Sequence, residues 1–151
     1  MRVIIQRVLS ASVSINGEVV GQIGKGFVLL VGLTHTDTEN DVQLVAKKVA
    51  QMRIFSDVDG RMNLSLSDLP ETAILSISQF TLYADCRHGN RPSFIAAAKP
   101  DMAKSLYELL NNILREQYHI NIQTGRFGAD MQVALVNDGP VTIILDSENI
   151  K

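Results

Sequence analysis

The sequence predicts a single α+β domain made mainly of strands, and three observations carry that reading. Its 151 residues fit one domain, 1–151, with enough chain to bury a full core. Apolar residues make up 46% and charged residues 20%, which is globular composition and excludes disordered and fibrous classes. Strand-like patterns cluster along the chain instead of alternating with helices, which favours α+β over a doubly wound sheet.

The elements follow in order. Val3–Val8 is a short apolar run broken by Gln6 and Arg7. Ala11, Val13 and Ile15 then alternate with Ser12 and Ser14, the period-two mark of a half-buried strand. Asn16-Gly17 is a strong hairpin signal, with Val19–Ile23 as the return strand. Gly24-Lys25-Gly26 turns the chain again. Phe27–Val31 is apolar on both faces and belongs at the centre of a sheet. Thr38 can cap a helix whose first turn carries Glu39 and Asp41. Val42, Val45, Val49 and Met52 share one face of it. Arg53–Phe55 reads as a short strand, Asp57–Gly60 as a turn, 72–82 as a buried strand and 83–93 as a polar loop. A second helix starts near Pro100, with Met102, Leu106, Leu109, Leu110, Ile113 and Leu114 as its apolar stripe. His119–Gln123, Met131–Val136 and Val141–Leu145 are the remaining strands. Asn137-Asp138-Gly139-Pro140 interrupts the last two.

Composition also narrows function. A net charge of −2 argues against a protein that coats nucleic acid non-specifically, and no DNA partner is expected. The longest apolar stretch, Phe27–Leu33, is far short of a membrane span, so no membrane partner is expected. One cysteine excludes an intramolecular disulfide framework and fits a reducing, cytoplasmic setting. The opening MRVIIQRVLSASV breaks at Gln6 and Arg7 and does not read as a signal peptide.

Most local motifs have plain readings. Gly21-x-x-Gly24-x-Gly26 lacks the spacing of a dinucleotide fingerprint and precedes a strand, so it reads as a turn. Asp57-Val58-Asp59-Gly60 places its glycine too early for a calcium loop. Cys86 and His88 alone do not make a zinc site, and His35 and His119 stand apart from them. No metal or cofactor is therefore expected. A hydrolase built on Cys86 and His88 is a weak alternative, because neighbours two apart need not meet. Arg7 reads, on pattern alone, as an outward-facing strand residue, since a buried charge is expensive. Ser78-Gln79-Phe80-Thr81 lies at the exit of a buried strand. Site lining and ordinary edge chemistry both stay open there, and no neighbouring base completes a triad. Arg87, His88, Arg91 and Lys99 give residues 86–100 a local basic excess with no acid among them.

Several segments together resemble one family, the D-aminoacyl-tRNA (D-tyrosyl-tRNA) deacylases. They are Gln6-Arg7-Val8 with Ala11-Ser12-Val13, Arg53–Asp57, Met62-Asn63, Ser78–Leu82, Arg91–Phe94, Thr124–Met131 and Asn137–Thr142. The match runs in order along essentially the whole chain, and the SQFTL and NDGPVT segments are specific as a pair. The resemblance implies a β-rich, barrel-like subunit with two main helices, working as a homodimer. It implies hydrolysis of the ester joining a D-amino acid to the 3′ terminal adenosine of tRNA. The catalytic segment would be Ser78, Gln79, Phe80 and Thr81, with Thr81 as nucleophile the older alternative. Substrate-binding positions would be Arg7, Phe94, Ala98, Phe127, Met131, Gly139 and Pro140. Phe94 would stack on the terminal adenine or fill core. A cis Gly139-Pro140 pair, fixed by Arg7, would enter the partner's site, against the outward-facing reading of Arg7.

That arrangement has a physical logic. Side-chain affinity discriminates weakly, since one methylene is worth only about 1–3 kcal/mol. A rigid backbone loop that holds the α-amino group can instead block one direction from Cα. Glycine escapes such a filter, which implies activity on glycyl-tRNA. Backbone N–H groups near Gln79 and Phe80 would stabilise the oxyanion. The loop at 86–100 is the expected contact for the tRNA acceptor end. The rival reading, a non-catalytic small β-barrel RNA-binding module, needs exposed aromatics or a broad basic patch. Aromatics are only 5% of the chain and disfavour it.

Overall fold

A computed structural model describes residues 1–151. The chain runs β1 (Arg2–Ile15), β2 (Glu18–Ile23), β3 (Gly26–Gly32), α1 (Glu39–Gln51), β4 (Phe55–Ser56), β5 (Met62–Leu64), β6 (Ala73–Ser78), α2 (Pro100–Glu116), β7 (Asn121–Thr124) and β8 (Gln132–Asp146). The hairpin forms at Asn16-Gly17, both with positive φ. Asp57–Gly60 is a plain turn, its Asp57 carboxylate accepting the Asp59 and Arg61 N–H groups.

The main sheet is ordered β2-β1-β3-β6-β7, and β8 pairs with the other edge of β1. β1 is one long strand, not two. It pairs β3 through residues 2–8 and β2 through residues 11–15, while β8 follows it from Asp146 back to Gln132. β8 is likewise continuous, and the interruption expected at 137–140 is an arch within it. β3, β6 and β7 are mutually parallel, joined by crossovers that contain α1 and α2. The clustered strand patterns concealed this, because crossover helices leave no local mark of strand direction. The strand expected over 72–82 stops at Ser78, and Phe80–Tyr83 is a 3-10 turn. His119 has a positive φ and stays outside β7.

Sheet curvature makes two cores. Phe27, Leu29, Val31 and Ile74 face α1 and α2. Val28, Leu75 and Ile77 face a smaller interior with Val8, Val13 and Ile23. β3 is therefore apolar on both faces. β2 folds over β6 and β7 and nearly closes the barrel. A Cβ at Gly21 would lie 2.8 Å from the Thr124 carbonyl oxygen. That glycine serves close approach and does not belong to a turn. No helix is long and apolar enough to cross a membrane.

Thr38 and Asp41 form a capping box at α1, with the Asp41 carboxylate accepting the Thr38 N–H at 2.9 Å and its hydroxyl at 2.8 Å. Burial alone would raise the Asp41 pKa, but the Thr38 hydrogen bonds and Lys151 outweigh it and lower it from 3.8 to about 2. A depressed carboxylate stabilises the fold above its unfolded pKa, and the contribution disappears as pH falls towards 2. Asp41→Asn is expected to cost roughly 2 kcal/mol at neutral pH and to flatten the acid limb of stability, measured by urea unfolding between neutral pH and pH 2.

Candidate active site

The parallel strands β3, β6 and β7 end on the same side, where ligands of such sheets gather. Val31 of β3 pairs with Ser78 of β6 there. A mostly apolar pocket of about 670 Å³ opens at this end. Ser78, Gln79 and Phe80 form one wall, Phe94 and Ala98 another, and Phe127 and Met131 a third. Phe80 and Phe94 meet edge to face at 5.1 Å. Phe94 is 38% exposed, so it lines the pocket and does not fill core. Ala98 is held by its N–H donating to the Leu33 carbonyl at 2.9 Å. The motif reading missed Val31, Leu33, Pro100 and Ala103, which also line the pocket. Parallel strand ends would have indicated them, had strand direction been visible.

The backbone at the strand exit refines the expected donors. The Gln79 N–H donates to the Val31 carbonyl at 2.7 Å and is committed. Phe80 and Thr81 open the 3-10 turn, and their N–H groups have no backbone acceptor. The Thr81 hydroxyl accepts from the Gln79 side chain at 2.6 Å, is exposed, and lies outside the pocket lining. Cys86 and His88 are exposed, outside the pocket, and not hydrogen-bonded to one another.

Arg7, Gly139 and Pro140 lie elsewhere. Arg7 is 7% exposed, so the outward-facing reading is wrong. Its charge is sustained by partners: Nε donates to the Asp138 carbonyl at 3.1 Å and lies 3.3 Å from the Asp138 carboxylate, and Nη1 donates to the Ile54 carbonyl at 2.5 Å. The β1·β8 register passes from Gln6↔Thr142 to Val8↔Asn137, so residues 138–141 arch out of the ladder opposite Arg7. The Gly139-Pro140 bond in that arch is cis. Arg7 pairs with Phe27, four residues before Val31, which places the arch about 13 Å along the sheet from the pocket.

The basic loop is less positive than its sequence suggests. Asp85, just before it, accepts twice from the Arg87 side chain, at 2.9 and 2.7 Å. Those hydrogen bonds hold the Asp85 carboxyl down at about 2.

Known proteins resemble the chain throughout. The family described as D-Tyr-tRNA(Tyr) deacylase matches residues 4–146. A protein of Brevibacillus brevis named D-aminoacyl-tRNA deacylase is 58% identical over 97% of this chain and 100% of its own. One of Thermus aquaticus with the same name is 57% identical over 97% and 95%. A solved structure titled c-Myc DNA Unwinding Element Binding Protein superposes with a TM-score of 0.90 at 38% identity, covering 97% of this chain and 98% of its own. A probable eukaryotic D-amino acid tRNA deacylase, at 18% identity and a TM-score of 0.82 over 95% and 97%, shares the fold. With matches of this extent, the chain belongs to the D-Tyr-tRNA(Tyr) deacylase family, and so to the enzymes that hydrolyse the aminoacyl ester of tRNA.

Proposed function

We propose that the chain removes D-amino acids, and glycine, from the 3′ terminal adenosine of tRNA in the cytoplasm, releasing free amino acid and tRNA. It acts as a homodimer in which each Gly139-Pro140 arch enters the partner's pocket. One observation carries this reading: the Arg7-anchored arch projects about 13 Å along the sheet from its own chain's pocket. A loop built so firmly, yet remote from the pocket beside it, serves a second copy. β8 supports the pairing. Its far edge has no partner strand, and Val136 and Ile144 are 52% and 69% exposed upon it. The single exposed Cys86 suits a reducing compartment.

The chemistry needs few groups, because an aminoacyl ester is already activated. Carbonyls of the inserted arch accept from the α-ammonium and leave no room for a side chain in the L direction. A D side chain points outward, and glycine has none to exclude. Attack by water places negative charge on the carbonyl oxygen of the ester, where the Phe80 and Thr81 N–H groups can donate. Collapse then breaks the bond to the ribose 3′ oxygen, which leaves with the proton that the water gives up. The adjacent ribose hydroxyl positions the water. Removing a group that takes part in proton transfer costs on the order of 100-fold or more. Thr81→Val is therefore expected to keep single-turnover hydrolysis of D-tyrosyl-tRNA within about threefold of the parent. A loss of about 100-fold would return the hydroxyl to the mechanism.

A further inference from the structure

A second groove lies against the pocket and has no role in the reaction described. It occupies about 430 Å³ between α2 and the segment after β7, and Phe127 lines both cavities. Pro100 and Ala103 of α2 face the first cavity, and Lys104, Tyr107, Asn111 and Arg115 continue the same helical stripe into the second. From Ala103 to Asn111 the trough extends about 12 Å.

Its chemistry differs from that of the pocket. Lys104, Arg115 and Arg126 line it, against a single acid, Glu108. Lys104 is 3.9 Å from Glu108, whereas Arg115 and Arg126 have no carboxylate partner. Asn111 belongs to the same wall, is only 4% exposed, and its Oδ1 has no hydrogen-bond partner. The Tyr107 hydroxyl cannot donate to it, because its proton goes to the Ser76 carbonyl at 2.8 Å. Arg115 Nη1 donates to the Asn112 side chain at 3.1 Å, but neither guanidinium has its charge met. Two such groups beside a buried, unfilled acceptor suit a ligand with an anion and an N–H donor. A nucleotide carries both.

We propose that this groove binds the nucleotide preceding the terminal adenosine, with the phosphate that joins the two at Arg126 and Arg115 and a base N–H at Asn111. The inference rests on the proposed placement of the terminal adenosine in the adjoining pocket. It moves the main RNA contact from the loop at 86–100, where Asp85 holds Arg87, to the α2 side of Phe127.

The test uses two non-hydrolysable probes and the whole protein. One is adenosine bearing D-tyrosine through a 3′ amide, and the other adds a 5′ cytidylyl residue. The extended probe is expected to bind about tenfold more tightly, as one charge-assisted contact and one hydrogen bond allow. Arg115→Gln with Arg126→Gln should remove that gain and leave the short probe's Kd unchanged. Added salt should weaken the extended probe more than the phosphate-free short one, and the two substitutions should abolish that difference. An abasic residue at the added position should keep only part of the gain, and full retention would overturn the role of Asn111. Equal affinity for the two probes, or a gain that survives both substitutions, overturns the groove. Failure to bind even the short probe overturns the adenosine placement and the groove together.

Discussion

Arg7→Ala is expected to lower kcat/KM for D-tyrosyl-tRNA on the order of 100-fold and to destabilise the fold by roughly 3 kcal/mol. Both effects come from the same contacts. The guanidinium satisfies the carbonyls of Asp138 and Ile54 and lies beside the Asp138 carboxylate. Truncation leaves the buried Ile54 carbonyl and the part-buried Asp138 carbonyl without their donor, which is costlier than losing a solvent-exposed pair. It also frees the arch, and a displacement of about 1 Å in a positioning group can cost 100-fold. Urea unfolding reads the first effect and single-turnover hydrolysis the second. A variant that loses stability but keeps full activity would detach the arch from catalysis.

Gly139→Ala is expected to act on selectivity. Gly139 has φ of +123°, and an added Cβ would lie 2.9 Å from the Val141 side chain and 3.1 Å from Arg7 Nη2. A left-handed backbone that excludes Cβ costs about 1–3 kcal/mol when a side chain is forced on it, so the arch must move. The ratio of D to L hydrolysis should then fall on the order of 100-fold, with a smaller loss on the D ester itself. An unchanged ratio would mean that chirality is read elsewhere.

How much of this was legible in the sequence depends on whether the signal was local. Asn16-Gly17, the Thr38 cap and the stripe of α2 were readable because turn, cap and periodicity are written in adjacent residues. The parallel order of β3, β6 and β7 was not, since strand direction is settled by crossovers tens of residues long. Arg7 misled for a related reason: its partners lie 131 and 47 residues away, so only its charge was visible. Gly21 passed for a turn residue because its neighbour, Thr124, is equally remote. Seven of the eleven positions expected to form the site, Ser78, Gln79, Phe80, Phe94, Ala98, Phe127 and Met131, line one pocket. The family resemblance located them, and no periodicity would have.

The most direct measurement is hydrolysis of matched D-tyrosyl-tRNA and L-tyrosyl-tRNA by the purified protein, followed as ester remaining with time. The account predicts rapid loss of the D ester while the L ester decays only at its uncatalysed rate. Equal loss of both would contradict it and leave a general aminoacyl esterase in place of a chiral one.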